Sequence, residues 1–261
     1  MSQAVKIHPT AIVDTHAEIG AGVSIGPFAV VGPKVKLGDG VVIDSHAVVE
    51  GRTTVGARTH IHSFASVGSQ PQDLKFAGEE TELLIGAENM IREYANLSLG
   101  TAGGGGKTVI GDRNLFMVYS HIAHDCIVAN DCIFANGVAI AGHCVIGDKA
   151  VFGGLSGLHQ FCHIGDMVMV AAGSIVTQDV PPFVTVQGDR ARPSGLNVVG
   201  LRRSGMTADQ VSQVKNCYRL IYNEGLPVDQ AVERIAAEIS DPGVKAKFLD
   251  FLAAAKRGIC R

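Results

Sequence analysis

Five histidines crowd one section of this chain: His121, His124, His143, His159 and His163. Near neutral pH an imidazole can take a proton, give one, or ligate a metal, so their placement decides which chemistry is open. His124 is followed directly by Asp125. A carboxylate so placed can hold the tautomer of a general base and stabilise the imidazolium it becomes. Such a base suits removal of a proton from a sugar hydroxyl. Gly142, just before His143, offers a backbone N–H with no side chain to shield it, a donor for a developing oxyanion. The competing chemistry is a metal centre, because His is a common zinc ligand. His121 and His124 lie three apart, which on a strand sends them to opposite faces unless a corner turns them together. The residues favour a general base over a metal centre.

These side chains need a scaffold that brings them to one surface. Every sixth residue from Ile7 to Val67 is a branched aliphatic, the register resumes at Ile85, Ile91 and Leu97, and it runs again from Ile110 to Val176. A helix needs a period of 3.6 and a half-buried strand a period of two, so neither explains a six. A hexapeptide repeat specifies a parallel β-helix. Three hexads make a triangular coil with one short strand per side, and eighteen-residue spacing stacks Ile122, Ile140 and Leu158 on one face. Coils rise only ~4.8 Å each, so the histidines beside that column share one outer patch. Small residues two before the hexad aliphatic, Cys126, Cys144 and Cys162 among them, are expected to form a buried column. Gly often follows the aliphatic, as at Gly38 and Gly56, and is expected there for its backbone freedom.

Two stretches break the count. Residues 69–84 form a polar loop carrying Gln72, Asp73 and Lys75, and residues 101–108, TAGGGGKT, form a Gly-rich loop. The second lacks the glycine six residues before Lys107 that a phosphate loop requires, and it reads as a flexible external segment. The expected organisation is a parallel β-helix over 1–183, mainly β, followed by a linker and α-helical cap over 184–261. Thr207 with Gln210 predicts a capping box, Gly225 a stop, and Asp241-Pro242 the start of a further helix.

The balance of 22 basic and 25 acidic residues, net charge −3, gives no basic surface for nucleic acid. No uncharged apolar run is long enough to span a bilayer, and the N-terminus lacks the pattern of a signal peptide. Six cysteines with no disulfide pattern fit a reducing, cytoplasmic setting.

Five motifs then occur in order: HIAHDC at 121–126, AGH at 141–143, GGLSGLHQF at 153–161, QDVPPFVTVQG at 178–188 and GLNVVGLRRSG at 195–205. With QPQDLKFAGE at 70–79, the chain resembles the UDP-N-acetylglucosamine acyltransferases over practically its whole length. The resemblance alone implies a left-handed β-helix, whereas general crossover sterics would favour the opposite hand. It implies a homotrimer with sites between subunits, and transfer of an R-3-hydroxyacyl chain from acyl carrier protein to the 3-OH of UDP-N-acetylglucosamine, the first step towards lipid A. His124 matches the general base, Asp125 its orienting partner and Gly142 the oxyanion donor. A thioester already carries a good leaving group, so no cofactor or metal is implied. His121, His143, His159, Gln160, Gln72, Asp73, Lys75, Asn197 and Arg203 match substrate contacts. Ala171 and Ala172 match the region that limits acyl length.

The pattern is broken at Ser98-Leu99, where the family often has His-Arg, and at Ser204, where a second arginine is common. Some relatives acylate a 3-amino sugar, so that acceptor stays open beside the 3-OH. Three rivals share the hexads: the related N-acyltransferase, which carries a separate N-terminal domain whereas hexads here begin at Ile7, a zinc hydratase of the carbonic anhydrase type, and a non-catalytic solenoid, which would want a Thr ladder that is not continued here.

Overall fold

The computed structural model describes residues 4–261. From Lys6–Ile7 onward, two-residue strands recur with each hexad and assemble into three sheets of eleven, nine and eight strands among the described residues. Pairing is parallel throughout, except for the final pair Val184–Gln187 and Arg192–Leu196 on the first face. The register matches each residue with its equivalent one coil on: Ile122 with Ile140, Ile140 with Leu158, Leu158 with Val176. Inward aliphatics such as Ile61, Ile122 and Ile140 are fully buried, and Phe116, Phe134 and Phe152 form a stacked aromatic column at 4.9 and 5.1 Å. Cys126, Cys144 and Cys162 are buried as well, with free thiols.

The corners revise one expectation. At the third residue after the inward aliphatic the chain turns through left-handed backbone with ordinary residues in place: Asp125 (φ 60°), His143 (φ 62°) and Phe161 (φ 66°) on one edge. Most glycines that directly follow the aliphatic are there for space instead, whereas Gly68, after Val67, does take left-handed backbone (φ 81°). At Gly38 an added Cβ would lie 2.8 Å from the Ala57 backbone nitrogen of the next coil, with no left-handed backbone to require glycine. Neighbouring coils therefore approach too closely there for any side chain.

Both loops are shorter than the sequence suggests. Strands Ser66–Ser69 and Glu82–Ile85 reach into the first, and Lys107–Ile110 into the second, because these segments pair with the coils on either side. The first face likewise continues beyond residue 183, through Val184–Gln187 pairing with Met169–Val170.

Four helices follow: α1 (Val198–Arg203), α2 (Ala208–Tyr218, continued by a π-turn over Arg219–Asn223), α3 (Val228–Glu238) and α4 (Pro242–Ala254). The Thr207–Gln210 capping box and the Asp241 cap of α4 are both formed. Sequence patterning misses α1, whose six residues are too few to show a period. The helices enclose a second apolar cluster around Val214, Leu220, Ile235 and Phe248. The chain end returns to the last coil. Buried Asp179 accepts the N–H groups of Lys256 and Arg257, at 2.9 and 3.1 Å, and of His163, at 2.7 Å.

Candidate active site

The edge between the second and third faces carries the candidate pair His124 and Asp125. His124 Nδ1 lies 2.8 Å from Asp125 Oδ2, and the Asp125 side chain is wholly buried while that of His124 retains 15% exposure. A buried carboxylate needs full pairing, and a loop supplies it. Thr101 donates its N–H to Asp125 Oδ1 at 2.8 Å and its hydroxyl to Oδ2 at 2.6 Å. The Asp125 N–H is donated to Thr108 Oγ1 at 2.8 Å. A Cβ on Gly104 would fall on the Asp125 carboxyl group. The Gly-rich segment is thus no free external loop. It folds back as a clamp on the orienting carboxylate, and Thr101, Thr108 and Gly104 are site residues that the sequence does not single out. Their signal, two threonines bracketing a glycine run, has meaning only once the loop is known to return to the coil bearing Asp125.

Gly142 lies under the His124 ring: an added Cβ would be 2.7 Å from Cε1 and 2.9 Å from Nε2. The Gly142 N–H makes no hydrogen bond to another described residue. His143 stands edge-on to His124, ring centroids 5.0 Å apart at 88°, and is stacked on Phe161 at 4.4 Å. Burial pushes the protonation of His143 below the ordinary imidazole value, opposed by Asp125, whose Oδ2 lies 3.8 Å from its Nδ1. His121, on the second face, is held by Asn96 Oδ1 at 2.8 Å, and burial likewise lowers its pKa.

The remaining predicted residues divide. Asp73 comes near enough to His143 for its charge to favour the imidazolium, while Gln72 and Lys75 are exposed on the same loop. His159 and Gln160 are exposed next to Phe161, and His159 opens on a cleft of about 470 Å³ with Arg190 and Arg257. His163 is not in this group, because it lies on the third face with its ring against Phe251 of α4. Ala171 and Ala172 follow the first-face strand Met169–Val170.

Asn197 and Arg203 are elsewhere on this chain. They line an apolar cleft of about 710 Å³ at the edge between the third and first faces, with Lys149, Met167 and Met169. The Asn197 side chain is already engaged, accepting from Gly200 N–H at 2.8 Å as the cap of α1 and donating to the Met167 carbonyl at 2.8 Å. Ser98 is buried and Leu99 packs over Gly51, so no cation stands at that departure from the family pattern.

His124, Asp125 and His143 bring ligand-type atoms within 4.8 Å of one another. Both Asp125 oxygens, however, are committed to Thr101 and His124, which suits proton transfer better than coordination.

The three-faced hexad prism is of the hexapeptide-repeat transferase class, as residues 107–142 match the family model described as bacterial transferase hexapeptide (six repeats). Residues 179–260 match the model described as UDP N-acetylglucosamine O-acyltransferase, domain 2. Acyl-[acyl-carrier-protein]–UDP-N-acetylglucosamine O-acyltransferases from Alkalilimnicola ehrlichii and Thiobacillus denitrificans are 49% and 48% identical, each match covering 98% of this chain and 99% of the relative. The crystal structure of LpxA from Acinetobacter baumannii has a TM-score of 0.95 at 44% identity, over 98% of this chain and 99% of that one. That from Moraxella catarrhalis has 0.95 at 41%, with the same coverage. The chain belongs to the UDP-N-acetylglucosamine O-acyltransferase family, and its solenoid is a left-handed parallel β-helix.

Proposed function

We propose that this chain transfers an R-3-hydroxyacyl group from acyl carrier protein to the 3-OH of UDP-N-acetylglucosamine, the first step of lipid A biosynthesis. His124 removes the hydroxyl proton as the oxygen attacks the thioester carbonyl. Gly142 N–H donates to the oxyanion of the tetrahedral intermediate. Collapse expels the carrier thiolate, which takes the proton from the His124 imidazolium. Asp125, fixed by Thr101, keeps Nδ1–H bonded so that Nε2 faces the acceptor. The carrying observation is this buried pair set over Gly142, in a chain matched along 98% of its length by relatives bearing that name.

The working unit is a homotrimer in the cytoplasm. Two features support the trimer. The residues matched to one site lie on two different edges of a single chain, His124 on the second–third edge and Arg203 at the third–first. The remaining edge carries an exposed ladder of Phe28, His46, Phe64, Tyr94 and Tyr119, with ring centroids 4.9–5.2 Å apart. Three prisms that turn this ladder to a common axis lay the second face of one against the first face of the next. Each His124 then meets a neighbour's Arg203, and Ala171 and Ala172 line the seam that would receive the acyl chain. The free buried thiols support the reducing compartment.

Incubation with UDP-N-acetylglucosamine and a series of hydroxyacyl carrier proteins, read by mass spectrometry, is expected to give the mono-acylated nucleotide sugar. His124→Ala is expected to cut its rate of formation by roughly 100- to 10,000-fold while the fold is kept. Absence of product with every donor would overturn the reading. The Ser98-Leu99 departure supports a second reading, a 3-amino acceptor, and exclusive turnover of the amino sugar would establish it.

A further inference from the structure

A second cluster of ligand-type side chains lies away from the catalytic edge. Strand His60–Ile61 pairs with Val42–Ile43, and Asp44 and His62 are the residues immediately after these two strands on the first face. His60 Nε2 is 2.9 Å from Asp44 Oδ2, and His62 Nδ1 is 3.2 Å from the same oxygen. The two rings stack at 3.9 Å with 21° between their planes. One carboxylate oxygen thus receives two parallel imidazoles, a poor arrangement for two cations. The ligand-type atoms of Asp44, His60 and His62 all lie within 4.8 Å of one another. The buried Nε2 of His62 has no partner among the described residues, so no bond on the far side fixes the ring.

We propose that Asp44, His60 and His62 bind a divalent transition-metal ion of the zinc class and clamp successive coils together. Zinc bonds to nitrogen and oxygen of about 2.0–2.2 Å place tetrahedral ligand atoms roughly 3.3 Å apart. The separations of 2.9 and 3.2 Å fall short of this by tenths of an ångström, and the stacked rings must swing out of parallel so that both lone pairs reach one ion. Two imidazoles with one carboxylate select zinc, nickel or copper over magnesium or calcium. Water or Glu93 takes the fourth position. Glu93, whose Oε1 is 4.0 Å from His62 Nδ1, follows the strand of the next coil and is shared with Arg92. The site is two coils before the strand Leu115–Phe116, so it contributes to the scaffold and not to the acyl-transfer step.

The intact protein, saturated with Zn2+ and freed of excess by gel filtration, is measured for bound metal by mass spectrometry. About one ion per chain is expected, with affinity falling more than roughly tenfold in His60→Ala and in His62→Ala and unchanged in His124→Ala. Loss of the ion in His124→Ala alone would place the metal on the catalytic edge and overturn the proposal, as would the lack of stoichiometric metal. Should the variants misfold, diffraction from zinc-soaked wild-type crystals keeps the test. An anomalous peak bonded to Asp44, His60 and His62 is expected, and peaks confined to other residues would refute it.

Discussion

His124 depends on what lies below and behind it. Its ring has Gly142 beneath it and Asp125 at Nδ1. On the proposed mechanism His124→Ala is expected to lower kcat by roughly 100- to 10,000-fold, the usual share of a general base, with the sedimentation coefficient unchanged. Gly142→Ala puts a methyl 2.7 Å from Cε1, so the ring must shift. A loss in kcat with unchanged thermal stability is the expected signature, measured on the same preparation. The buried imidazoles also set a pH dependence of stability. His62, His121, His143 and His163 all have protonation depressed below the ordinary 6.5 by burial. The unfolded chain binds more protons than the folded one, so the stability this confers is complete above 6.5 and is lost as pH falls through the lowered folded values. Melting temperature is expected to decline steadily on acidification from pH 7, and a flat profile would exclude the effect.

At the scale of elements, the Gly-rich loop and the coil beneath it act as one unit. Thr101→Val removes a 2.6 Å hydrogen bond to a carboxylate with no exposed surface. A cost of about 1.5–3 kcal/mol in urea unfolding is expected, with activity reduced as the carboxylate loosens. None of this can be read from the residues alone. The period of six marks inward positions because burial acts on every sixth residue directly. It reveals the faces, the eighteen-residue stacking of Ile122, Ile140 and Leu158, and the patch that holds His124 and His143. The clamp escapes because Thr101 and Asp125 are 24 residues apart and no periodic constraint joins them. The corner glycines suggest backbone freedom because sequence reports composition and not the distance between coils. Asn197 shows the converse, a residue matched to a ligand contact whose side chain also caps α1.

For the molecule as a whole, stability and assembly reside in different columns. The inner stack of Phe116, Phe134 and Phe152 holds the coils together. Phe134→Ala there is expected to cost about 3–5 kcal/mol, measured by denaturant unfolding. The outer ladder is the surface that the proposed trimer would bury, with Tyr119 63% and Phe64 47% exposed in the single chain. Tyr119→Glu is expected to yield monomers in sedimentation velocity that keep their β signal yet transfer no acyl group. The parallel register has a further result. Because Ser24 meets Val42 just as Val42 meets His60, the cut ends left by removing one eighteen-residue turn are chemically interchangeable. The length of this rod can accordingly change only in whole increments, and any insertion that is not such a multiple must be extruded sideways, where the clamp and the 70–81 excursion now lie.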